Sequence, residues 1–191
     1  MDVTIPYTPR KQQAFIHKEL DKKRFSVLCC HRRFGKTVML INHLIKCCMT
    51  NQNHAPRFAY IAPTYSQAKK IAWDYLKFYT KGLPQTKYNE TELRADFFNG
   101  SRIQLLSAEN PDSIRGIYLD GVVCDEASQI NRELVDEVLR PALSDRKGWM
   151  TLCSTPKGMN NIFYELYLKA QSDKDWFLYT AKASETGLVD K

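Results

Sequence analysis

Short apolar runs alternate with amphipathic stretches along the chain, and this alternation predicts β-strands separated by α-helices. The apolar runs predict strands over residues 25–30, 57–62, 121–124, 149–154 and 176–180. Apolar residues at helical spacing predict helices over residues 9–23, 36–48, 65–80, 134–139 and 162–170. The fourth of these helices should stop near Pro141. The one over 65–80 should carry on one face Ala68, Ile71, Ala72, Tyr75, Leu76 and Tyr79.

The connections between these elements indicate the fold class. Residues 94–98 and 102–106 flank Asn99-Gly100, a dipeptide typical of a hairpin turn. Strands joined through helices form parallel sheets, because a parallel pair needs a crossover connection. The sequence therefore predicts an α/β fold with a mostly parallel central sheet flanked by helices, plus an antiparallel hairpin. We expect one domain over 1–191, with 1–24 as its N-terminal segment and 25–191 as its core. Ligands should bind at the carboxyl ends of the strands.

Composition narrows the possible classes of protein. The 191 residues are 43% hydrophobic, which is enough to bury a core, and no apolar stretch is long enough to predict a membrane span or a secretory signal. The net charge of +7 favours an anionic partner. The six cysteines lie in or beside apolar runs, as expected for small buried residues in a reducing compartment. With no C-x-x-C motif and no zinc-ligand spacing among the four histidines, the sequence predicts no metal cage.

The segment His31-Arg-Arg-Phe-Gly35-Lys36-Thr37 lies between a predicted strand and a predicted helix, which is the setting of a phosphate-binding loop. In such a loop a lysine reaches the β- and γ-phosphates, and a hydroxyl holds Mg²⁺. Lys36 and Thr37 fit these roles, and Gly35 would let the backbone turn close to the phosphates. Cys30 stands where the general pattern has its first glycine. The alternative is a basic turn that only joins strand to helix.

Two further motifs follow buried strands. Asp125 and Glu126 come after Val122-Val-Cys124, so Asp125 fits a Mg²⁺ ligand, and Glu126 fits the group that polarises the attacking water in ATP hydrolysis. A solvated strand end is the alternative. Ser154 and Thr155 end another strand, where their hydroxyls can bond the γ-phosphate or the water. Here the alternative is a simple S-T-P-x-G turn.

In this order and combination, the motifs resemble the ATPase domain of the large terminase subunit, the DNA-packaging motor of tailed bacteriophages. The resemblance covers essentially the whole chain, and four pieces carry most of it: Tyr7-Thr-Pro9-Arg-Lys-Gln-Gln13, Arg32-Arg-Phe-Gly-Lys-Thr37, Gly121-Val-Val-Cys-Asp-Glu-Ala-Ser128 and Ser154-Thr-Pro-Lys-Gly158. It extends to Ala62-Pro-Thr-Tyr65 and Ser113-Ile-Arg115-Gly116. It implies a P-loop NTPase fold of the RecA-like (ASCE) type, with ATP and Mg²⁺ as ligands.

The resemblance also implies residue roles. Gln13 would contact adenine, with Gln12 as a competitor, and the nucleotide-binding loop would comprise Arg32, Arg33, Phe34, Gly35, Lys36 and Thr37. Ser154 and Thr155 would couple hydrolysis to movement. Arg115 would reach the ATP of a neighbouring subunit as an arginine finger, the alternative being a surface arginine paired with Asp112 or Glu109. In the alternative arrangement, Arg32 or Arg33 would act as the arginine finger from within the phosphate-binding loop.

The implied partners are double-stranded DNA, further copies in a ring, the portal protein and the small terminase subunit, with no membrane, in the host cytoplasm. Family members normally continue into a nuclease domain, for which we expect no room before Lys191, so no DNA cutting is expected from this fragment. Two alternatives remain at this stage: one RecA-like lobe of a nucleic-acid helicase, and a non-hydrolysing nucleotide-binding scaffold module.

Overall fold

One mixed β-sheet runs through the computed structural model, which describes residues 4–186. Within that range its eight strands lie in the order β3-β4-β5-β2-β6-β7-β1-β8. Their bounds are β1 (Phe25–Cys30), β2 (Arg57–Ala62), β3 (Lys87–Asn89), β4 (Arg94–Asp96), β5 (Arg102–Ser107), β6 (Gly121–Asp125), β7 (Trp149–Ser154) and β8 (Trp176–Ala181). The five strands predicted from apolar runs are confirmed to within one residue. The short β3, which is polar and largely exposed, is an addition.

Strand pairing confirms the mostly parallel sheet. The pairs β5–β2, β2–β6, β6–β7, β7–β1 and β1–β8 are parallel, whereas β3–β4 and β4–β5 are antiparallel, which confirms the hairpin. Because β1, β2, β6 and β7 point the same way, their carboxyl ends meet at one edge of the sheet. All five residues of β6 are buried, as expected for a parallel strand covered on both faces.

Helices cover both faces of this sheet. The α-helices are α1 (Lys11–Leu20), α2 (Lys36–Thr50), α3 (Tyr65–Gln67), α4 (Asp74–Thr80), α5 (Arg140–Ser144), α6 (Ile162–Ser172) and α7 (Ala183–Thr186). Between residues 4 and 186, two π-helical turns (Ala68–Trp73 and Leu134–Leu139) and two 3₁₀ turns (Pro111–Ile114 and Ala127–Gln129) complete the helical elements. Neighbouring strand residues contribute to opposite cores: Leu28 packs with α1, α2 and α4, and Val27 packs with α5 and α6. No helix among the described residues is long and apolar enough to cross a bilayer.

Burial along the helix over 65–80 follows the predicted apolar face only in part. Residues 65–80 are helical throughout, but Ile71 is 50% exposed and Tyr75 is 38% exposed, while Trp73 is buried in the core. The cause is the π turn at Ala68–Trp73, whose wider i→i+5 hydrogen bonding rotates the helix face relative to ideal α-helical spacing.

The predicted stop near Pro141 is also wrong. The π turn Leu134–Leu139 continues directly into α5, and Pro141 lies in the first turn of α5. A proline inside a helical segment removes one backbone hydrogen bond, which weakens the helix locally but does not have to end it. The helical segment therefore continues to Ser144.

Candidate nucleotide-binding site

The loop between β1 and α2 has a backbone that suits phosphate binding. Gly35 precedes the first turn of α2 with φ of 81°, and Arg33 has φ of 66°. A Cβ at Gly35 would lie 2.8 Å from a guanidinium nitrogen of Arg10 and 3.1 Å from Nε2 of Gln13. The left-handed backbone favours glycine here, and a larger residue would in addition push aside the side-chain ends of Arg10 and Gln13. The free N–H groups at the start of α2 face the carboxyl edge of the sheet.

Lys36 begins α2 and is only 8% exposed. Its Nζ lies 3.5 Å from the carbonyl oxygens of Cys30 and His31, and 3.8 Å from Oε1 of Glu126. The structure thus brings together the loop lysine and the acidic residue that follows β6. An entering polyphosphate would have to compete with Glu126 for this ammonium group.

Asp125 is buried and accepts hydrogen bonds at both carboxylate oxygens. Thr37 Oγ1 donates to Oδ2 over 2.9 Å, the Tyr60 hydroxyl donates to the same oxygen, and the Glu126 N–H donates to Oδ1 over 2.9 Å. The Thr37 hydroxyl and the Asp125 carboxylate are adjacent hard oxygen donors, so this pair fits Mg²⁺. Burial, followed by the adjacent Asp125 charge, raises the pKa of Tyr60 well above its usual range, and the phenol therefore stays a neutral donor.

Glu126 has an unusual backbone conformation. Its φ of 47° and ψ of 43° are left-handed, which costs a non-glycine residue about 1–2 kcal/mol. Its side chain is partly exposed, with one oxygen near Lys36 and the other accepting from Thr155 Oγ1 over 3.3 Å. The strained turn therefore places a partly solvated carboxylate between the loop lysine and the end of β7.

Ser154 and Thr155 occupy different positions at that end of β7. Ser154 is fully buried, and its Oγ donates to Ser128 Oγ over 2.8 Å and accepts from the Ser128 N–H over 3.3 Å. Only Thr155 of the two touches Glu126. Ser154 instead ties β7 to the 3₁₀ turn that follows Glu126.

Thr37, Tyr60, Asp125, Glu126 and Thr155 border one cleft of about 650 Å³, whereas Gly35, Lys36 and Ser154 are not among its lining residues. Its lining includes His31, Arg32, Thr37, Tyr60, Gln67, Ile71, Asp125, Glu126, Gln129, Thr155 and Lys157. Phe34 is buried in the core, so its side chain is not available to a ligand, although its carbonyl lies on the loop. Arg33 is exposed and is not among the residues that line this cleft.

Gln13 is buried against the loop. Its Nε2 donates to the carbonyl oxygens of Phe34 over 3.3 Å and Gly35 over 3.5 Å, while its Oε1 accepts from the Arg10 N–H over 3.0 Å. Arg10 also donates through its guanidinium to the Phe34 carbonyl. Sequence reasoning missed Arg10 and Tyr60. Arg10 lies within a segment that carries the family resemblance, whereas Tyr60 reads simply as a buried strand residue.

Arg115 lies away from the cleft. Its guanidinium pairs with Asp112 over 2.7 Å, Glu133 over 3.2 Å and Glu137 over 3.8 Å, and its side chain is 45% exposed. The hydrogen bond to Asp112 raises the pKa of Arg115 above its usual value. Glu109, the other partner considered from the sequence, instead accepts from the Tyr65 N–H over 2.9 Å.

Comparison with known proteins identifies the family. A family model for the N-terminal part of the large terminase subunit, T4-like virus type, matches residues 31–186. The large terminase subunit of Thermus phage G20c is 30% identical over 181 residues, and the match covers 85% of this chain and 36% of that protein. The chain thus spans little more than a third of that relative.

Solved structures agree with this assignment. The ATPase domain of the Thermus phage P74-26 large terminase has a TM-score of 0.77 and 26% identity, over 93% of this chain and 82% of that one. The large terminase of another thermophilic bacteriophage, solved with ADP, shares the fold with a TM-score of 0.78 and 18% identity, over 95% of this chain and 47% of that one. The matches do not favour a helicase lobe or a scaffold module. The chain therefore belongs to the large terminase subunit family and corresponds to the N-terminal part of its members.

Proposed function

We propose that this chain binds ATP with Mg²⁺ and hydrolyses the ATP to drive double-stranded DNA into a procapsid. One observation carries the proposal: Thr37, Asp125 and Glu126 come from two separate segments and line one cleft, and the Lys36 ammonium lies 3.8 Å from the Glu126 carboxylate. Related structures support the choice of nucleotide, since the large terminase of a thermophilic bacteriophage was solved with ADP and with ATP-γ-S. DNA cleavage forms no part of this proposal.

Each group in the cleft has a defined task in this mechanism. The N–H groups at the start of α2 and the Lys36 ammonium bind the phosphates, and Gln13 holds the loop in place. To contact adenine as well, the Gln13 carboxamide would have to leave its present partners when the nucleotide binds. Thr37 and Asp125 would hold Mg²⁺, which would supply positive charge next to the phosphates. Glu126 accepts a hydrogen bond from the attacking water and orients it towards the γ-phosphate.

The ion pair between Lys36 and Glu126 gives this mechanism an order of events. Phosphate binding draws the Lys36 ammonium away from Glu126, and the carboxylate is then free to bind the water. Thr155 keeps its bond to Glu126 and fixes the carboxylate, while Ser154 transmits the position of this turn to β7. In this proposal these two residues couple hydrolysis to movement.

Variants of the two charged residues test the proposal. Lys36→Ala should lose ATP binding by isothermal calorimetry, whereas Glu126→Gln should bind ATP and release no phosphate. Glu92→Gln, at an exposed glutamate near β4, is the matched control and should behave as wild type. Normal phosphate release by Glu126→Gln would show that the water activator is wrongly assigned.

The assembly is also proposed. Arg115 does not line the cleft of its own subunit, so a role as finger requires a neighbouring copy in a ring. Arg32, which does line the cleft, and its neighbour Arg33 are the alternatives within the subunit. The portal protein and the small terminase subunit would bind this ring in the host cytoplasm.

The dependence of the ATPase rate on protein concentration tests the ring. We expect the rate per subunit to rise with concentration in wild type and to stay low in Arg115→Ala. Arg132→Ala is the matched control, because Arg132 is also exposed and paired with two carboxylates. A rate that is independent of concentration and kept by Arg115→Ala would remove the shared site.

A further inference from the structure

A second cluster of titratable side chains lies between α1 and α2, and none of its residues lines the nucleotide cleft. His17 and Asp21 are four residues apart at the end of α1, and His43 and Cys47 are four residues apart on α2. Residues at this spacing share one helix face. The two pairs face each other across the helix–helix contact: a carboxylate oxygen of Asp21, a ring nitrogen of His43 and the Cys47 sulfur all lie within 4.8 Å of one another.

We propose that Asp21, His43 and Cys47 form a binding site for a borderline-soft divalent cation, with Zn²⁺ as the best fit. Nitrogen, sulfur and carboxylate oxygen together make up the ligand set that Zn²⁺ prefers over Mg²⁺. Such a site would lie apart from the residues assigned to nucleotide binding.

The distance between the nitrogen and sulfur ligands supports this choice. His43 Nε2 and Cys47 Sγ are 3.6 Å apart. Zinc bonds of about 2.3 Å to sulfur and about 2.0 Å to nitrogen, at a tetrahedral angle, place these atoms about 3.5 Å apart. The two α2 ligands therefore need no rearrangement, and Asp21, which lies on the surface, supplies the adjustable third ligand.

The partners around the cluster also suit a metal site. His43 Nδ1 lies 3.2 Å from His17 Nδ1, and His17 Nε2 lies 3.0 Å from the Tyr7 hydroxyl. A metal on His43 Nε2 leaves the proton on Nδ1 to donate to His17, whose own proton on Nε2 then faces Tyr7. Ligating histidines usually have such an outer partner, which fixes the ring orientation.

An unpartnered polar group lies in the cavity next to Asp21. Asn42 is 4% exposed and lines the cavity of about 410 Å³ that His17 and Asp21 also line, whereas His43 and Cys47 are not among its lining residues. Among the described residues the Asn42 Oδ1 has no hydrogen-bond partner. A buried amide oxygen without a partner costs free energy, which a water molecule in this cavity would relieve, so Asn42 is not counted among the metal ligands.

Lys46 opposes the binding of a cation. Its ammonium pairs with Asp21, and Lys18 lines the same cavity. Metal binding therefore displaces the Lys46 ammonium and releases the Cys47 thiol proton to solvent. The side chain of Lys46 is nearly half exposed, so it can move into water. Removing its charge should make the metal bind more tightly, which a purely hydrogen-bonded cluster does not predict.

Such a metal would cross-link α1 and α2 and thereby stabilise the nucleotide-binding loop between them and the sheet. α1 carries Gln13, which bonds the loop carbonyls, and α2 begins with Lys36. Joining the distal ends of these two helices would hold Gln13 against the loop even before nucleotide binds. The site thus offers a structural role for the cation, with no part in the hydrolysis step.

Cobalt absorption tests the site on the nucleotide-free 191-residue chain in excess Mg²⁺. We expect one equivalent of Co²⁺ to give a sulfur-to-metal charge-transfer band, and Zn²⁺ to abolish it by displacement. Cys47→Ser should lose the band, whereas Cys29→Ser, at a half-buried cysteine outside the cluster, should keep it. No band in wild type, or an unchanged band in Cys47→Ser, would overturn the proposal and leave a neutral hydrogen-bond network.

Three further variants cover folding and the nucleotide site. Asp21→Asn changes only a surface residue and should weaken Co²⁺ binding about tenfold or more, while Lys46→Met should tighten it. If neither changes the affinity, the ligand set is wrong. Thr37→Val should keep the Co²⁺ charge-transfer band while losing Mg²⁺-dependent nucleotide binding. The two measurements therefore distinguish a failure of the metal-site proposal from a failure of the proposed ATPase function.

Discussion

Replacing Tyr60 by phenylalanine removes one of the three hydrogen bonds to the buried Asp125 carboxylate. The ring stays packed in the core, so the hydroxyl is the only group lost. A hydrogen bond to a charged group contributes about 1.5–3 kcal/mol to folding, against about 0.5–1.5 kcal/mol for a bond between neutral groups. Because Thr37 and the Glu126 N–H still bond Asp125, we expect ATP binding to persist and the free energy of unfolding to fall by about 2 kcal/mol.

Urea unfolding measures this loss, and a second tyrosine provides the control. The Tyr88 hydroxyl lies 2.8 Å from Thr80 Oγ1, so Tyr88→Phe removes a bond between neutral groups. It should cost clearly less than Tyr60→Phe. The high pKa of Tyr60 keeps its phenol protonated, and the difference should therefore be constant between about pH 6 and 9. Equal losses in the two variants would refute the idea that Tyr60 stabilises a charged Asp125.

Three other expectations follow from the geometry. Thr155→Val removes the hydrogen-bond donor to Glu126, so kcat should fall about 3- to 10-fold while the Kd for ATP stays unchanged. An unchanged kcat would contradict the proposal that Thr155 positions the Glu126 carboxylate. Gly35→Ala should destabilise the fold by about 2–4 kcal/mol in thermal unfolding, from left-handed strain plus displaced side chains of α1, and a loss below about 1 kcal/mol would contradict the contacts described. With a chelator present, burial holds the pKa values of His17 and His43 at about 4 and about 3, below the 6.5 of an unfolded chain. As the pH falls below 6.5, the two histidines take up protons in the unfolded state before they do so in the folded state. The free energy of unfolding measured in urea should therefore fall by up to about 1.4 kcal/mol per pH unit for each histidine. A free energy of unfolding that does not change with pH would contradict the burial of these rings.

The sequence predicted the groups at the strand ends because parallel strands impose their own geometry. Thr37 and Asp125 were both placed just beyond a strand or loop at the same edge, and the structure puts their oxygens 2.9 Å apart. Tyr60 escaped notice since an aromatic residue in an apolar strand looks like any core residue. Its hydroxyl meets Asp125 only because β2 and β6 are neighbours in the sheet.

The metal candidate shows a different limit. Zinc-binding motifs can be recognised in a sequence when the ligands lie a few residues apart. Asp21 is far from His43 and Cys47 in the sequence and comes close to them only because α1 packs on α2. Helix packing depends on side chains distributed over the whole core, so a local pattern does not reveal it.

The role of Arg115 as an arginine finger stays a prediction, since the acidic partners of Arg115 in the structure lie on the same subunit.

The π turn at Ala68–Trp73 makes the cleft sensitive to chain length. Such a turn holds one more residue than the α-helical turn it replaces. Deleting one residue there would restore α-helical geometry and leave α3 and α4 in nearly the same rotation, because the extra residue is taken up within the one turn. Gln67 and Leu76 would then keep their places, and the deletion would act on the turn itself, which carries Ile71 on the cleft wall. A single-codon deletion far from the phosphate loop would thus reshape the nucleotide cleft without changing any side chain that contacts phosphate.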